Sequence, residues 1–253
     1  MEKNKFDIIE VIKELKKNNR IFCSEADFQH TLAWTIKQKY ENEIKKIYLE
    51  FPFIIKEEQE KQEEHNHLDI LIVFKDNKMI PIELKYKTTY PNANKNKEIK
   101  GELYENFDEN IKFIVRNQGA KNYGCYNYIK DISRIESFKN DNMFKDNFEE
   151  GYAIFLTNDK NYWEEVENYK QEEPTYDYSM FSIHHKRENV HGKLDWKYPE
   201  KHKKDKKGNP LYPPIDIEGS YNFYWYPNDN NCKEYNSNEG FGEFKYLITT
   251  IKK

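Results

Sequence analysis

The sequence predicts an α/β fold followed by a β-rich C-terminal stretch. Three observations predict it: helical apolar stripes near the start and in the middle of the chain, apolar β-branched runs between them, and successive β segments beyond Pro174.

The elements follow in chain order. Phe6–Lys17 carries Phe6, Ile9, Val11, Ile12 and Leu15 as an apolar stripe and is predicted to be a short helix. Ser24 is predicted to cap a second helix, with Glu25 and Asp27 in the first turn, where the helix dipole favours carboxylates. That helix runs to about Tyr40, with Phe28, Leu32 and Ile36 on one face. Ile47–Ile55 has strand character, and Lys56–Asn66 is a charged loop. Leu68–Phe74 is an apolar run containing a single acid, Asp69. A turn at Lys75-Asp76-Asn77-Lys78 leads into the strand Met79–Tyr86.

Glu98–Glu105 and Ile111–Val115 are expected to pair as a hairpin. Ala120–Phe138 reads as the second long helix, with Cys125, Ile129, Ile132 and Ile135 at helical spacing. Gly151–Thr157 is predicted to be a buried strand and Tyr162–Tyr169 a short helix. The later β segments are Tyr178–His184, Val190–Trp196, Ile215–Tyr226 and Glu243–Ile251, with a basic loop at Lys201–Asn209. The order is α, β, β, β, α, β, dividing the chain into a core at 1–173 and an extension at 174–253 packed on it.

Composition narrows the functional classes. The 253 residues suffice for one large domain. Only 37% are hydrophobic, but 20 Tyr and 16 Phe bury large areas and favour a folded chain despite a mean hydropathy of −1.09. Cys23, Cys125 and Cys232 form neither a disulfide framework nor a zinc motif, which points to a reducing compartment. Met1–Lys17 has no apolar leader core, and no stretch reaches the roughly 20 apolar residues of a membrane span. The expectation is a soluble, cytoplasmic protein with no membrane partner. The net charge of −4 argues against a broad phosphate-binding face, so any nucleic-acid contact would rest on a local patch.

The chemistry concentrates in two strands. Glu83 and Lys85 share one face of their strand, because successive side chains alternate. Charged groups in an otherwise buried strand are costly unless paired or bound to something, and Asp69 poses the same problem in the strand before. Such a group suits a hard divalent cation with oxygen ligands. A two- or four-residue connection would set Asp69 opposite Leu84; a three- or five-residue connection, or a bulge, would set it beside Glu83.

Asp69, thirteen residues, then Glu83-Leu84-Lys85 resembles the D…(D/E)xK signature of the PD-(D/E)XK nucleases. The element order is similar to their restriction-endonuclease-like core, a central mixed sheet flanked by helices. The likeness covers about Ser24–Thr157, and Leu68 stands where the family often has Pro. NQGAKNYGCYNYIKDISRIE and GYAIFLTND also resemble an uncharacterised bacterial subgroup of this superfamily.

The resemblance implies a divalent-metal-dependent nuclease hydrolysing phosphodiester bonds with Mg²⁺ or Mn²⁺, on DNA in preference to RNA, in bacterial defence or repair. It makes Asp69, Glu83 and Lys85 catalytic. Asp69, Glu83 and the Leu84 carbonyl would hold the metal, with Glu25 and Glu50 as further candidate ligands and Gln29 and Gln118 in supporting roles. A homodimer is compatible with it. The alternative is a catalytically silent, nuclease-derived module that binds nucleic acid or a protein partner.

Other signals have simpler readings. Asp131 and Arg134, at i, i+3, are expected to be a surface ion pair worth well under about 1 kcal/mol. The run Lys201–Lys207 reads as a solvated loop, the scattered histidines as structural, and the alternation at Tyr221, Phe223 and Trp225 as a half-buried strand.

Overall fold

The structure, a computed structural model, describes residues 5–17, 22–55, 64–89, 99–100, 112–113, 118–165, 179–202, 204, 206, 208–227 and 244–253. It is an α/β protein built on a mixed six-stranded sheet, with a second, two-stranded sheet beside it.

Helices α1 (Ile8–Lys17) and α2 (Glu25–Lys39) come first. Ser24 Oγ accepts from Asp27 N at 3.1 Å, while Asp27 Oδ2 accepts from Cys23 N at 3.0 Å, so the two side chains cap α2 reciprocally. Strands β1 (Ile44–Ile55), β2 (Glu64–Phe74) and β3 (Met79–Lys87) form an antiparallel meander. A short pair, β4 (Ile99–Lys100) with β5 (Lys112–Phe113), precedes α3 (Lys121–Asn140). The crossover through α3 lays β6 (Glu150–Thr157) parallel to β3.

In the C-terminal region, β7 (Arg187–Leu194) and β8 (Ile215–Phe223) form the second sheet. The chain then returns as β9 (Trp225–Pro227) and β10 (Lys245–Lys252). The central order is β1-β2-β3-β6-β10-β9. The extension thus supplies two strands of the central sheet itself.

Alternation along these strands makes two apolar layers. Ile70, Ile82, Leu84 and Ile154 pack with α1 and α2 on one face; Leu71, Ala153 and Phe155 pack with α3 and the β7–β8 sheet on the other. Gly151 sets how close α3 can lie to the sheet, since a Cβ there would sit 2.4 Å from Ile135 Cγ2. Glu136 ties the second sheet to α3. Its carboxylate accepts from Glu218 N at 3.1 Å, Gly219 N at 2.7 Å and the Tyr221 hydroxyl at 2.6 Å.

Several expected elements change. The helix expected from Tyr162 is a 3₁₀ turn at Lys160–Tyr162, started by Asp159 Oδ1 accepting from Asn161 N at 3.1 Å; residues 166–169 lie outside the described residues. The strand expected at Tyr178–His184 has a 3₁₀ turn at Ser179–Phe181, and the Trp225 indole takes the Ile183 carbonyl at 2.6 Å. Ile215–Tyr226 breaks at Tyr224. Glu64–Asn66, read as loop, belongs to β2, with Asn66 opposite Phe53. Most of the Glu98–Glu105/Ile111–Val115 hairpin and alternate positions of the Lys201–Lys207 loop lie outside the described residues. Among the described residues no helix is long and apolar enough to cross a membrane.

Candidate functional site

The β2–β3 ladder starts at a tight connection. Phe74 N donates to Lys78 O at 2.9 Å, leaving three residues, Lys75–Asn77, in the turn, with Asn77 left-handed at φ 67°. Lys78 thus closes the expected turn against Phe74, and β3 begins at Met79. This odd-numbered connection gives the register Val73↔Met79 through Ile70↔Ile82, which, extended one step past its last pair, would set Asp69 opposite Glu83 rather than Leu84.

The ladder stops at Ile70↔Ile82. Past that point two β3 amides still need acceptors, and carboxylates supply them: Leu84 N donates to Asp69 Oδ2 at 2.6 Å and Tyr86 N to Glu25 Oε2 at 2.8 Å. From α2, Gln29 Nε2 donates to the Asp69 carbonyl at 2.6 Å and to Glu50 Oε1 at 2.8 Å. Glu25, Gln29, Glu50 and Asp69 thus gather at one fork between β2 and β3.

Side-chain alternation reverses at this fork. Leu49 belongs to the α1/α2 layer whereas Phe51 and Phe53 belong to the α3 layer, and Leu68 and Ile70 likewise part company. The reversals fall on Glu50, whose φ is 51°, and on Asp69, which it faces across the ladder. Left-handed backbone at a non-glycine residue is a local strain of the kind that re-aims side chains.

From α3 come the charged partners of Glu83 and Lys85. Lys85 Nζ donates to its neighbouring Leu84 carbonyl at 2.9 Å and lies 2.8 Å from Asp131 Oδ2. Arg134 Nη1 lies 2.8 Å from Glu83 Oε1 and 3.2 Å from Asp131 Oδ1. The surface ion pair expected of Asp131 and Arg134 is therefore corrected: Asp131 is 2% exposed, and both residues belong to a buried charge network with β3. The signal lay in the helical spacing, because Asp131 falls at i+3 from Tyr128 and i−4 from Ile135 on the packed stripe.

Electrostatics are those of a half-buried, acid-rich cluster. Burial raises the Asp69 carboxyl to about 6; Lys85 and the Leu84 amide pull it down, and Asp131 and Glu25 push it further up. Glu83 is raised well above its ordinary value, chiefly by burial and then by Asp131, against the pull of Arg134. Burial alone would lower Lys85, yet Asp131, Glu25, Asp69 and Glu83 outweigh it and raise the ammonium. Arg134 is raised by Glu83 and Asp131 in the same way, against its own burial.

Three buried atoms of this network have no hydrogen-bond partner: Glu83 Oε2, Asp131 Oδ2 and Arg134 Nε. The Lys85–Asp131 contact is close enough to be an ion pair but lacks hydrogen-bond direction. Gln118 stands apart from these groups, with its amide donating to Thr88 O at 3.0 Å and its Oε1 buried without a partner. Glu50 is exposed and engaged by Gln29.

Among the described residues no three His, Cys, Asp or Glu side chains form a ready-made metal cage. The donors nonetheless fit a hard cation: Asp69 and Glu83 carboxylates, the Leu84 carbonyl and a buried carboxylate oxygen, Glu83 Oε2, that nothing satisfies. Neither a family model, a curated protein nor a solved structure matches the chain.

Proposed function

We propose that the chain is a divalent-metal-dependent nuclease that hydrolyses phosphodiester bonds, DNA being the substrate the sequence resemblance favours. The observation that carries this reading is the β2–β3 register, which ends at Ile70↔Ile82 and leaves Asp69 at the open end of the ladder, accepting from Leu84 N between Glu83 and Lys85. The topology supports it as well: an antiparallel β1–β2–β3 meander joined through α3 to a parallel β6 is the arrangement expected of a restriction-endonuclease-like core.

In this reading Asp69, Glu83 and the Leu84 carbonyl hold Mg²⁺ or Mn²⁺. When bound, the cation polarises a phosphate oxygen and lowers the pKa of water. The protein's own groups do the rest. Gln29 and the Leu84 amide hold Asp69 from both sides. Glu25 keeps β3 in place by accepting from Tyr86 N. Lys85 stays protonated, so its ammonium orients the attacking water and offsets charge that builds on the phosphate.

A second reading, a silent nuclease-derived binding module, draws on the mutual neutralisation of Lys85, Asp131, Arg134 and Glu83. Incubating the protein with plasmid, linear duplex, single-stranded DNA and RNA, each with Mg²⁺, Mn²⁺ or EDTA, separates the two. Metal-dependent cleavage supports the nuclease; binding without cleavage under every condition overturns it in favour of the module.

A further inference from the structure

Arg134 occupies an unusual place for a helix residue that sequence spacing pairs only with Asp131. Its Nη1 bridges Glu83 Oε1 at 2.8 Å and Asp131 Oδ1 at 3.2 Å, so one guanidinium nitrogen serves both a strand carboxylate and a helix carboxylate. Both acids are buried, at 1% and 2% exposure, and each retains one oxygen without a hydrogen bond. Arg134 Nε is likewise unpartnered.

We infer that Arg134 is a resident counter-ion of this site, holding Glu83 while no divalent cation is bound and falling back on Asp131 when one enters. This rests on the reading of Asp69 and Glu83 as the cation's ligands. A guanidinium and a divalent cation compete for Glu83 at contact distance, because like charges repel strongly where the carboxylate is buried. Asp131 provides the second berth. It already touches Arg134 through Oδ1 while its Oδ2 pairs with Lys85 Nζ at 2.8 Å, so the arginine can give up Glu83 without becoming an unpaired charge. The site is thereby closed to weakly held cations and keeps Glu83 compensated when empty.

Mn²⁺ titration of the full chain without nucleic acid tests this directly. Arg134→Gln is expected to bind Mn²⁺ roughly tenfold to a hundredfold more tightly than the unsubstituted protein, because a competing charge is gone. Asp131→Asn is expected to weaken Mn²⁺ binding, and that weakening should vanish in the double variant, since Asp131 acts through Arg134. A weakening that persists in the Arg134→Gln background, or an Arg134→Gln affinity that is unchanged or lower, overturns the inference.

Asp69→Asn keeps the two claims apart. If it abolishes binding while Arg134→Gln has no effect, only the counter-ion inference falls; if it leaves binding intact, the cation-site reading falls too. Should the variants fail to fold, the unsubstituted protein still answers. It has four arginines, Arg20, Arg116, Arg134 and Arg187, so side-chain Nε–Hε resonances are few. Saturating Mg²⁺ should shift the Arg134 resonance, and an unmoved resonance overturns the inference.

Discussion

Lys85 Nζ lies 2.8 Å from Asp131 Oδ2, joining the third residue of the β-strand signature to a residue of α3 more than forty positions away in sequence. The contact assigns Asp131 the task of holding the ammonium on the α3 side of β3. Lys85→Met keeps most of the stem but removes the charge, so Mn²⁺ binding should be unchanged or tighter. Cleavage should fall by roughly 10²-fold or more, the scale for losing a group that acts in the transition state. Normal single-turnover cleavage by folded Lys85→Met would make Lys85 a buried counter-ion only.

The raised Asp69 carboxyl predicts a pH dependence of metal-free stability. Its unfolded value is 3.8 and its folded value about 6, so between these the folded state binds more protons than the unfolded. Stability should therefore fall as pH rises from about 4 through 6, by up to about 3 kcal/mol from this group. Glu83 is raised in the same sense and adds to the slope. Urea unfolding in EDTA at pH 4, 5, 6 and 7 should show a shallower loss for Asp69→Asn; identical slopes would contradict the assignment.

What the sequence made legible, and what it did not, follows from geometry. Strand alternation placed Glu83 and Lys85 together, and the choice between Glu83 and Leu84 as the residue facing Asp69 depended on the parity of one connection, Lys75–Asn77. Glu25 and Gln29 pointed to the right helix face, although Glu25 caps a strand amide and Gln29 a strand carbonyl. Asp131 and Arg134 were misread because an i, i+3 charge pair looks alike on either face of a helix. The burial of Asp131 and the packing of Ile135 against Gly151 show how deeply that turn of α3 is set.

That close approach is itself testable. Gly151→Ala places a Cβ against Ile135, and overpacking of this kind costs about 1–3 kcal/mol. Because it presses on α3 next to Arg134 and one turn from Asp131, it should also alter Mn²⁺ affinity without touching any ligand. Urea denaturation read beside a Mn²⁺ titration checks both. Unaltered stability would show that α3 moves aside freely.

Glu136 should matter for the C-terminal region rather than for the metal. Glu136→Ala leaves Glu218 N, Gly219 N and the Tyr221 hydroxyl without their acceptor, a loss of about 1–3 kcal/mol that comes chiefly from the buried Tyr221 hydroxyl. Trp196 and Trp225 are buried in the layer beside α3, so their fluorescence should report a loosened β7–β8 sheet. Mn²⁺ affinity unchanged within a few-fold is the companion result; a loss as large as that of Asp69→Asn would argue that the second sheet shapes the site.

The central claim is that Asp69 and Glu83 hold the divalent cation that supports cleavage. Calorimetric titration of Mn²⁺, with single-turnover cleavage on the same preparations, tests it most directly in the unsubstituted protein, Asp69→Asn and Glu83→Gln. The account predicts binding and cleavage in the unsubstituted protein, loss of both in either variant, and abolition of cleavage by EDTA. Cleavage that survives EDTA, or variants that keep the original Mn²⁺ affinity while folded, would contradict it.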